Sequence, residues 1–168
     1  MAEFIQDPVR RQRLAFSREG NILRAEVFAD PGGDVPRHFH PSQEERFEVL
    51  AGHVRFDVDG QRIEGGPGTR VTAPAGAKHA FRNIGQLEAH LRVEVEPPMD
   101  LQSFLEEAAA LARAGRYTRR GMPTSPRAVV ELADLMVRYQ DTTVMTFPPR
   151  IVQRLVIGSL ARRRRKRD

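Results

Sequence analysis

The chain has 168 residues, of which 40% are hydrophobic and none is cysteine, and its formal net charge is +5. This length and apolar content fit one globular domain with a smaller segment attached, and exclude a second large domain. The lack of cysteine excludes a disulfide framework and a thiolate metal site. Residues 1–13 contain arginines but no apolar stretch behind them, and no apolar run approaches the roughly 20 residues that span a bilayer, so a cytoplasmic protein is expected.

Alternation of apolar and polar residues predicts β-strands in the first part of the chain. Extended segments near Arg13–Phe16 and Ile22–Phe28 lead into a turn at residues 30–33, where the sequence reads Asp-Pro-Gly-Gly. Strands then recur as far as Val95. The following Glu-Pro-Pro at residues 96–98 is expected to end the β region, because proline interrupts strands and helices.

Two histidines that flank Phe39 are the first candidate metal ligands. Successive side chains of a strand point to opposite faces, so His38 and His40 project to the same side. Glu45 begins a run in which alternate residues, continuing through Phe47, line one face of the next strand. Two imidazoles and one carboxylate can therefore meet at one end of a sheet.

A third imidazole follows the Pro-x-Gly turn at residues 74–76. Such a turn is a rigid corner that directs the next strand inward, which brings His79 towards the same interior. Three imidazoles and one carboxylate suit one divalent transition metal ion, namely Fe, Mn, Ni, Co, Cu or Zn. An octahedral ion held by four protein groups keeps two positions for water or a chelating ligand, and its residual charge favours an anionic or oxygen-chelating small molecule.

These stretches resemble the two sequence motifs of the cupin superfamily. The first motif is a glycine, five residues, His-x-His, three or four residues, a glutamate, six residues and a glycine, and the second is a glycine, five residues, Pro-x-Gly, two residues, a histidine, three residues and an asparagine. Every position is filled, in the first motif by Gly32, His38, His40, Glu45 and Gly52, and in the second by Gly68, Pro74, Gly76, His79 and Asn83. The spacer of 15 residues between the motifs is typical of small bacterial single-domain cupins, and the resemblance covers roughly residues 10–98.

The resemblance implies a mainly β fold, a jelly-roll β-barrel, in which the metal lies inside one end. Carried over residue by residue, it makes His38, His40, Glu45 and His79 the metal ligands. A lone inward histidine is usually a hydrogen-bonded core residue, but four polar groups in a narrow barrel would cost several kcal/mol if unpaired. The candidate walls of the substrate pocket are Phe47, Val49, Phe56 and Phe81.

Beyond the β region the apolar period changes from two to about 3.6, which predicts a C-terminal α-helical extension. The first helix has Asp100 as its candidate N-cap and Gly115 as its end, and its apolar stripe comprises Leu101, Phe104, Leu105, Ala108, Leu111 and Ala112. A second begins at Ser125 and buries Val129, Leu132, Ala133 and Met136, and a third begins at residues 148–149. The predicted organisation is a β domain over 1–98, a helical extension over 99–161 and a polybasic tail over 162–168.

The tail carries the whole net charge of the chain. Residues 162–168 contribute six positive charges and one negative charge, or +5, so residues 1–161 sum to zero. This distribution argues against a specific nucleic-acid fold. Three interpretations remain: a solvated end, binding of an anionic membrane surface at ~1 kcal/mol per basic residue, and nonspecific binding of nucleic acid.

Three functions fit these residues. The favoured one is a small-molecule metalloenzyme, either dioxygenase-like or a Lewis-acid isomerase or lyase, in which Glu45 doubles as a catalytic base. The second is a non-catalytic module that binds or senses a ligand through its metal, with attachment to a membrane surface as one option. The third is a purely structural metal site. The sequence leaves the oligomeric state open.

Overall fold

The computed structural model describes residues 3–146 and contains two antiparallel sheets. In sheet order, the six-stranded sheet comprises β1 (Ile5–Asp7), β2 (Gln12–Glu19), β3 (Ile22–Ala29), β10 (Ala89–Glu96), β5 (Glu44–Ala51) and β8 (Arg70–Ala73). The five-stranded sheet comprises β11 (Val144–Met145), β4 (Asp34–Phe39), β9 (His79–Asn83), β6 (Val54–Val58) and β7 (Gln61–Gly65). The mainly β jelly-roll fold predicted from the sequence is confirmed. The described strands form two packed sheets, however, and not one continuously closed barrel.

The predicted alternation of side chains positions the core between the sheets. Buried and partly exposed residues alternate along β5, so that Glu45, Phe47 and Val49 all point inward. From the other sheet, Phe56 and Phe81 meet Phe47, with ring centroids 5.3 Å and 6.1 Å from its own. The prediction that Glu45 shares the inward face of its strand with Phe47 is therefore confirmed.

The helical extension is also confirmed, with α1 at Leu101–Arg113 and α2 at Pro126–Arg138. The Ser125 hydroxyl accepts a hydrogen bond from the Ala128 N–H at 3.1 Å, which is the predicted N-cap. Asp100 occupies the N-cap position of α1 as predicted, but its side chain makes no capping hydrogen bond, because its backbone is not in the extended conformation that a side-chain cap needs. Gly115 has the positive φ of +66° that commonly follows a helix end.

The helices pack on the sheets that precede them. Leu101, Phe104 and Leu135 belong to the same apolar cluster as the strand residues. The four α2 residues predicted to be buried, Val129, Leu132, Ala133 and Met136, are half-buried because they line a cavity. Within residues 3–146, no helix combines the length and apolar character needed to cross a bilayer. The third predicted helix and the polybasic tail lie outside the described residues, and the division at residue 98 stays a prediction.

One motif glycine is required by the close approach of two chain segments. Gly52 has φ +86°, and a Cβ there would lie 2.6 Å from the Cα of Ala89. We expect Gly52→Ala to lower the free energy of unfolding by about 3 kcal/mol or more, since a strained φ and overpacking each cost roughly 1–3 kcal/mol. Gly60→Ala is the matched control, because Gly60 has φ +87° with open space around it. Equal losses for both variants in urea unfolding would contradict this account of Gly52.

Candidate metal centre

Three neighbouring strands bring the predicted ligands together. His38 lies on β4 directly opposite His79 on β9, and His40 follows at the end of β4. Glu45 comes from β5 of the other sheet. The Pro-x-Gly turn is tied to this end of the fold, because the N–H of Gly76 donates to the carbonyl of His40 at 2.7 Å. That bond fixes the position of the Pro-x-Gly turn relative to the end of β4.

The four side chains converge on a common point. One ligand atom from each of His38, His40, Glu45 and His79 lies within 4.8 Å of all the others. Oε2 of Glu45 lies 2.7 Å from Nε2 of His79 and 3.1 Å from Nε2 of His40. Nε2 of His38 lies 3.3 Å from Nε2 of His40. All four residues are buried, with at most 8% of their surface exposed.

The outer nitrogen of each imidazole faces a backbone carbonyl. Nδ1 of His38 lies 2.9 Å from the oxygen of Pro36, and Nδ1 of His79 lies 2.9 Å from that of Ala77. Nδ1 of His40 lies 2.8 Å from the oxygen of Thr142. A carbonyl can only accept, so each Nδ1 carries the proton and donates it. In the neutral imidazole the lone pair then lies on Nε2, which points to the centre of the cluster.

Hydrogen bonds within the cluster link the Glu45 carboxylate to two of the imidazoles. Burial raises the pKa of Glu45, but hydrogen bonds with His40 and His79 outweigh burial and hold its pKa well below the usual range. Burial and the neighbouring imidazoles of His79 and His40 lower the pKa of His38 to about 3. Burial lowers the pKa of His79, but its hydrogen bond to the Glu45 carboxylate raises it on balance. Each of these hydrogen bonds needs a proton on Nε2, and a divalent first-row transition ion, which suits this set of three imidazoles and one carboxylate, would replace that proton.

The cluster forms part of the wall of a cavity of about 320 Å³. Phe47 and Phe81 line this cavity from the sheets, and both helices of the extension line it from the other side. Val49 and Phe56, the other two candidate pocket residues, have no exposed surface. They belong to the core between the sheets and are not among the residues that line the cavity.

A second polar group lines the same cavity near the turn between β1 and β2. Oδ1 of Asp7 accepts hydrogen bonds from the N–H groups of Val9 and Arg10, both at 2.9 Å. The Tyr117 hydroxyl, from the segment between the helices, donates to the Ala108 carbonyl at 3.2 Å and lies 3.3 Å from Oδ2 of Asp7. The cavity therefore has polar groups at the metal cluster and at this turn, joined by mostly apolar walls.

Thr142 and Thr143 also contribute to the site, although no sequence motif marks them. Both are 2% exposed, and Thr143 Oγ1 lies 3.2 Å from Nδ1 of His40 in addition to the Thr142 carbonyl contact. Along the chain, Thr142 lies 102 residues after His40 and Thr143 lies 103 residues after it. No local pattern marks them, because their role depends on a contact between distant parts of the chain.

Comparisons with known proteins agree with this geometry. The family model described as a cupin domain matches residues 25–96, a range that contains all four clustered residues. The chain is 31% identical over 67 residues to "Polyketide synthase CurC" of Streptomyces cyaneus, covering 40% of this chain and 44% of that protein. It is 34% identical over 67 residues to "Protein SchB" of Streptomyces halstedii, covering 40% and 49%. The match thus spans less than half the length of either relative.

Solved structures show the same fold at low sequence identity. An RmlC-like cupin from Shewanella frigidimarina superposes with a TM-score of 0.54 at 16% identity, covering 61% of this chain and 89% of that one. KdgF from Halomonas sp. superposes with a TM-score of 0.53 at 16% identity, covering 59% and 90%. The two complete motifs, the jelly roll and the clustered ligands together lead to one conclusion: residues 25–96 of this chain are a cupin domain.

Proposed function

We propose that the chain is a metal-dependent enzyme that acts on a small organic molecule bound through two of its oxygen atoms. One observation carries this proposal: the four clustered side chains lie on the wall of a cavity of about 320 Å³. A purely structural metal has no need of such a space, whereas a substrate has. A cavity of this size takes a compact organic molecule of up to about three rings.

We assign a separate role to each group of residues at this site. A bound divalent metal ion would polarise the substrate oxygens and stabilise negative charge that develops on them. The imidazoles of His38, His40 and His79 hold the ion, and their Nδ1–H bonds keep the rings oriented. Phe47 and the helices of the extension supply apolar walls around the bound substrate.

Glu45 is the candidate base within this machinery. Among the described residues that line the cavity, the carboxylates are Glu45 and Asp7, and only Glu45 belongs to the metal cluster. A Glu45 carboxylate that detached from the cluster would remain beside the bound substrate and could accept a proton from it. Asp7 is held by two backbone N–H groups at the β1–β2 turn, and we assign it no catalytic step.

The mostly apolar walls indicate the class of substrate. A relative that matches over 67 residues is named a polyketide synthase, and polyketide-type molecules carry paired carbonyl, enol or phenol oxygens on an apolar carbon skeleton. Paired oxygens of this kind can chelate one metal ion, and an apolar skeleton matches cavity walls such as Phe81 and Leu132. We therefore propose a 1,3-dicarbonyl, catechol or flavonol compound as the substrate.

The test is reconstitution followed by a substrate panel. Metal-depleted protein is loaded separately with Fe, Mn, Co, Ni, Cu or Zn and mixed with diketones, catechols, flavonols, and sugar or keto acids. Oxygen consumption and product mass are followed, so that a dioxygenase-like reaction is distinguished from a Lewis-acid isomerase or lyase reaction. We expect turnover with at least one metal and none in the metal-depleted protein. Thermal stabilisation by metal and ligand without turnover would contradict the enzyme and favour the non-catalytic binding or sensing module.

A further inference from the structure

The hydrogen bond at Nδ1 of His40 differs in origin from those of the other two imidazoles. His38 and His79 each donate to a carbonyl two residues earlier in their own strand segment, at Pro36 and Ala77. His40 instead donates to the carbonyl of Thr142, at 2.8 Å and a sequence separation of 102. The helical extension therefore supplies the acceptor for one candidate metal ligand.

The segment that supplies this acceptor is fixed at both ends. Before it, the N–H groups of Thr142 and Thr143 donate to the carbonyl of Tyr139, the C-cap residue of α2, at 2.9 Å and 2.8 Å. After it, β11 pairs with β4, so that Met145 lies opposite His38. The Thr146 hydroxyl adds a 2.8 Å bond to the carbonyl of Arg37. The extension thus reaches the metal cluster through a short, buried and anchored segment.

We propose that Thr142 and Thr143 position His40 for metal binding, so that the helical extension contributes to the structure of the metal centre. This inference rests on the metal binding that the proposed function also requires. The Thr142 carbonyl holds the proton on Nδ1 and so directs the lone pair of Nε2 to the cluster. The Thr143 hydroxyl, 3.2 Å from the same nitrogen, is a second acceptor that limits rotation of the ring.

Burial makes these contacts effective. Thr142 and Thr143 are each 2% exposed, as is His40, so bulk water has little access to Nδ1 when an acceptor is lost. Removal of a hydrogen-bond partner of this kind typically weakens metal affinity 10- to 100-fold. Thr143→Val removes the hydroxyl and keeps the shape, but leaves the Thr142 carbonyl in place. Its expected effect is therefore near the lower end, about tenfold weaker binding.

The test measures affinity for Co²⁺ by competition with a chelator, on the full-length chain. Thr143→Val is compared with Thr143→Ser, which restores the hydroxyl and should restore binding. Thr124→Val is the matched control, because Thr124 lies in the same extension and donates its hydroxyl to the Gly115 carbonyl at an exposed position. A double variant, Thr142→Gly with Thr143→Gly, loosens the segment itself and should weaken binding on the order of 100-fold.

The visible spectrum of bound Co²⁺ reports the coordination geometry and should change in the double variant, while circular dichroism of the metal-free proteins reports folding. Thr143→Val decides the question if the double variant does not fold. Wild-type affinity in a folded Thr143→Val would overturn this inference and leave the proposed function standing. Absence of Co²⁺ binding by the wild-type chain would overturn both.

Discussion

Alanine in place of His40 or His79 is expected to weaken metal binding at least about 100-fold. Each imidazole supplies one of four ligand atoms that lie within 4.8 Å of one another, so its loss leaves an incomplete and poorly shaped site. Loss of a residue that only orients a ligand typically weakens metal affinity 10- to 100-fold. Loss of a ligand itself should weaken metal affinity at least as much. Metal content after dialysis, together with chelator competition, measures the effect.

His90→Ala is the matched control for these variants. His90 is also a histidine paired with a glutamate, with its Nε2 2.6 Å from Oε2 of Glu26, but it lies outside the metal cluster and stacks on Phe28. Its replacement should leave metal content unchanged. Near-stoichiometric metal in both His40→Ala and His79→Ala, with folded protein by circular dichroism, would contradict the ligand assignment.

Filling the cavity from the helix side is expected to block large ligands without removing the metal. Ala133 of α2 lines the cavity, and a phenylalanine there would occupy space that a substrate needs. A steric conflict of this kind typically costs 1–3 kcal/mol, which corresponds to roughly tenfold weaker binding or more. We expect Ala133→Phe to lose affinity for the flavonol quercetin and to keep most of its affinity for the smaller 4-nitrocatechol. Absorbance titration of the metal-loaded protein measures both.

Val130→Phe tests whether any added ring on α2 has the same effect. Val130 lies on the same helix but is 48% exposed, so the new ring faces solvent. This control should bind both probes like the wild type. If Ala133→Phe also binds quercetin normally, the ligand does not occupy the space between the helices and the sheets, and the proposed substrate cavity is wrong.

The features that the sequence predicted well depend on local geometry. A strand alternates its side chains at every residue, so the shared side of His38 and His40 and the inward face of Glu45 follow directly from their spacing. The Ser125 cap follows from a similarly local rule, since its hydroxyl bonds an N–H only three residues ahead. The four ligands could be identified from the sequence because each motif fixes the spacing of the ligands within its own short segment.

The features that the sequence did not reveal depend on contacts between distant segments. Parity placed Val49 and Phe56 on the inner face, but parity alone cannot tell a core residue from one that borders a cavity. The Thr142 carbonyl reaches His40 only because β11 joins the sheet beside β4. A two-residue strand of this kind leaves no periodic pattern to find.

The ligand assignment requires that three imidazoles and one carboxylate from separate strands hold one metal ion. X-ray absorption spectroscopy of the metal-loaded protein, with elemental analysis of the same sample, measures this coordination. We expect one metal per chain, bound by nitrogen and oxygen atoms, with outer-shell scattering from three imidazoles that falls to two in a His79→Ala sample loaded at high metal concentration. A spectrum without imidazole scattering, or one that His79→Ala leaves unchanged, would contradict the ligand assignment.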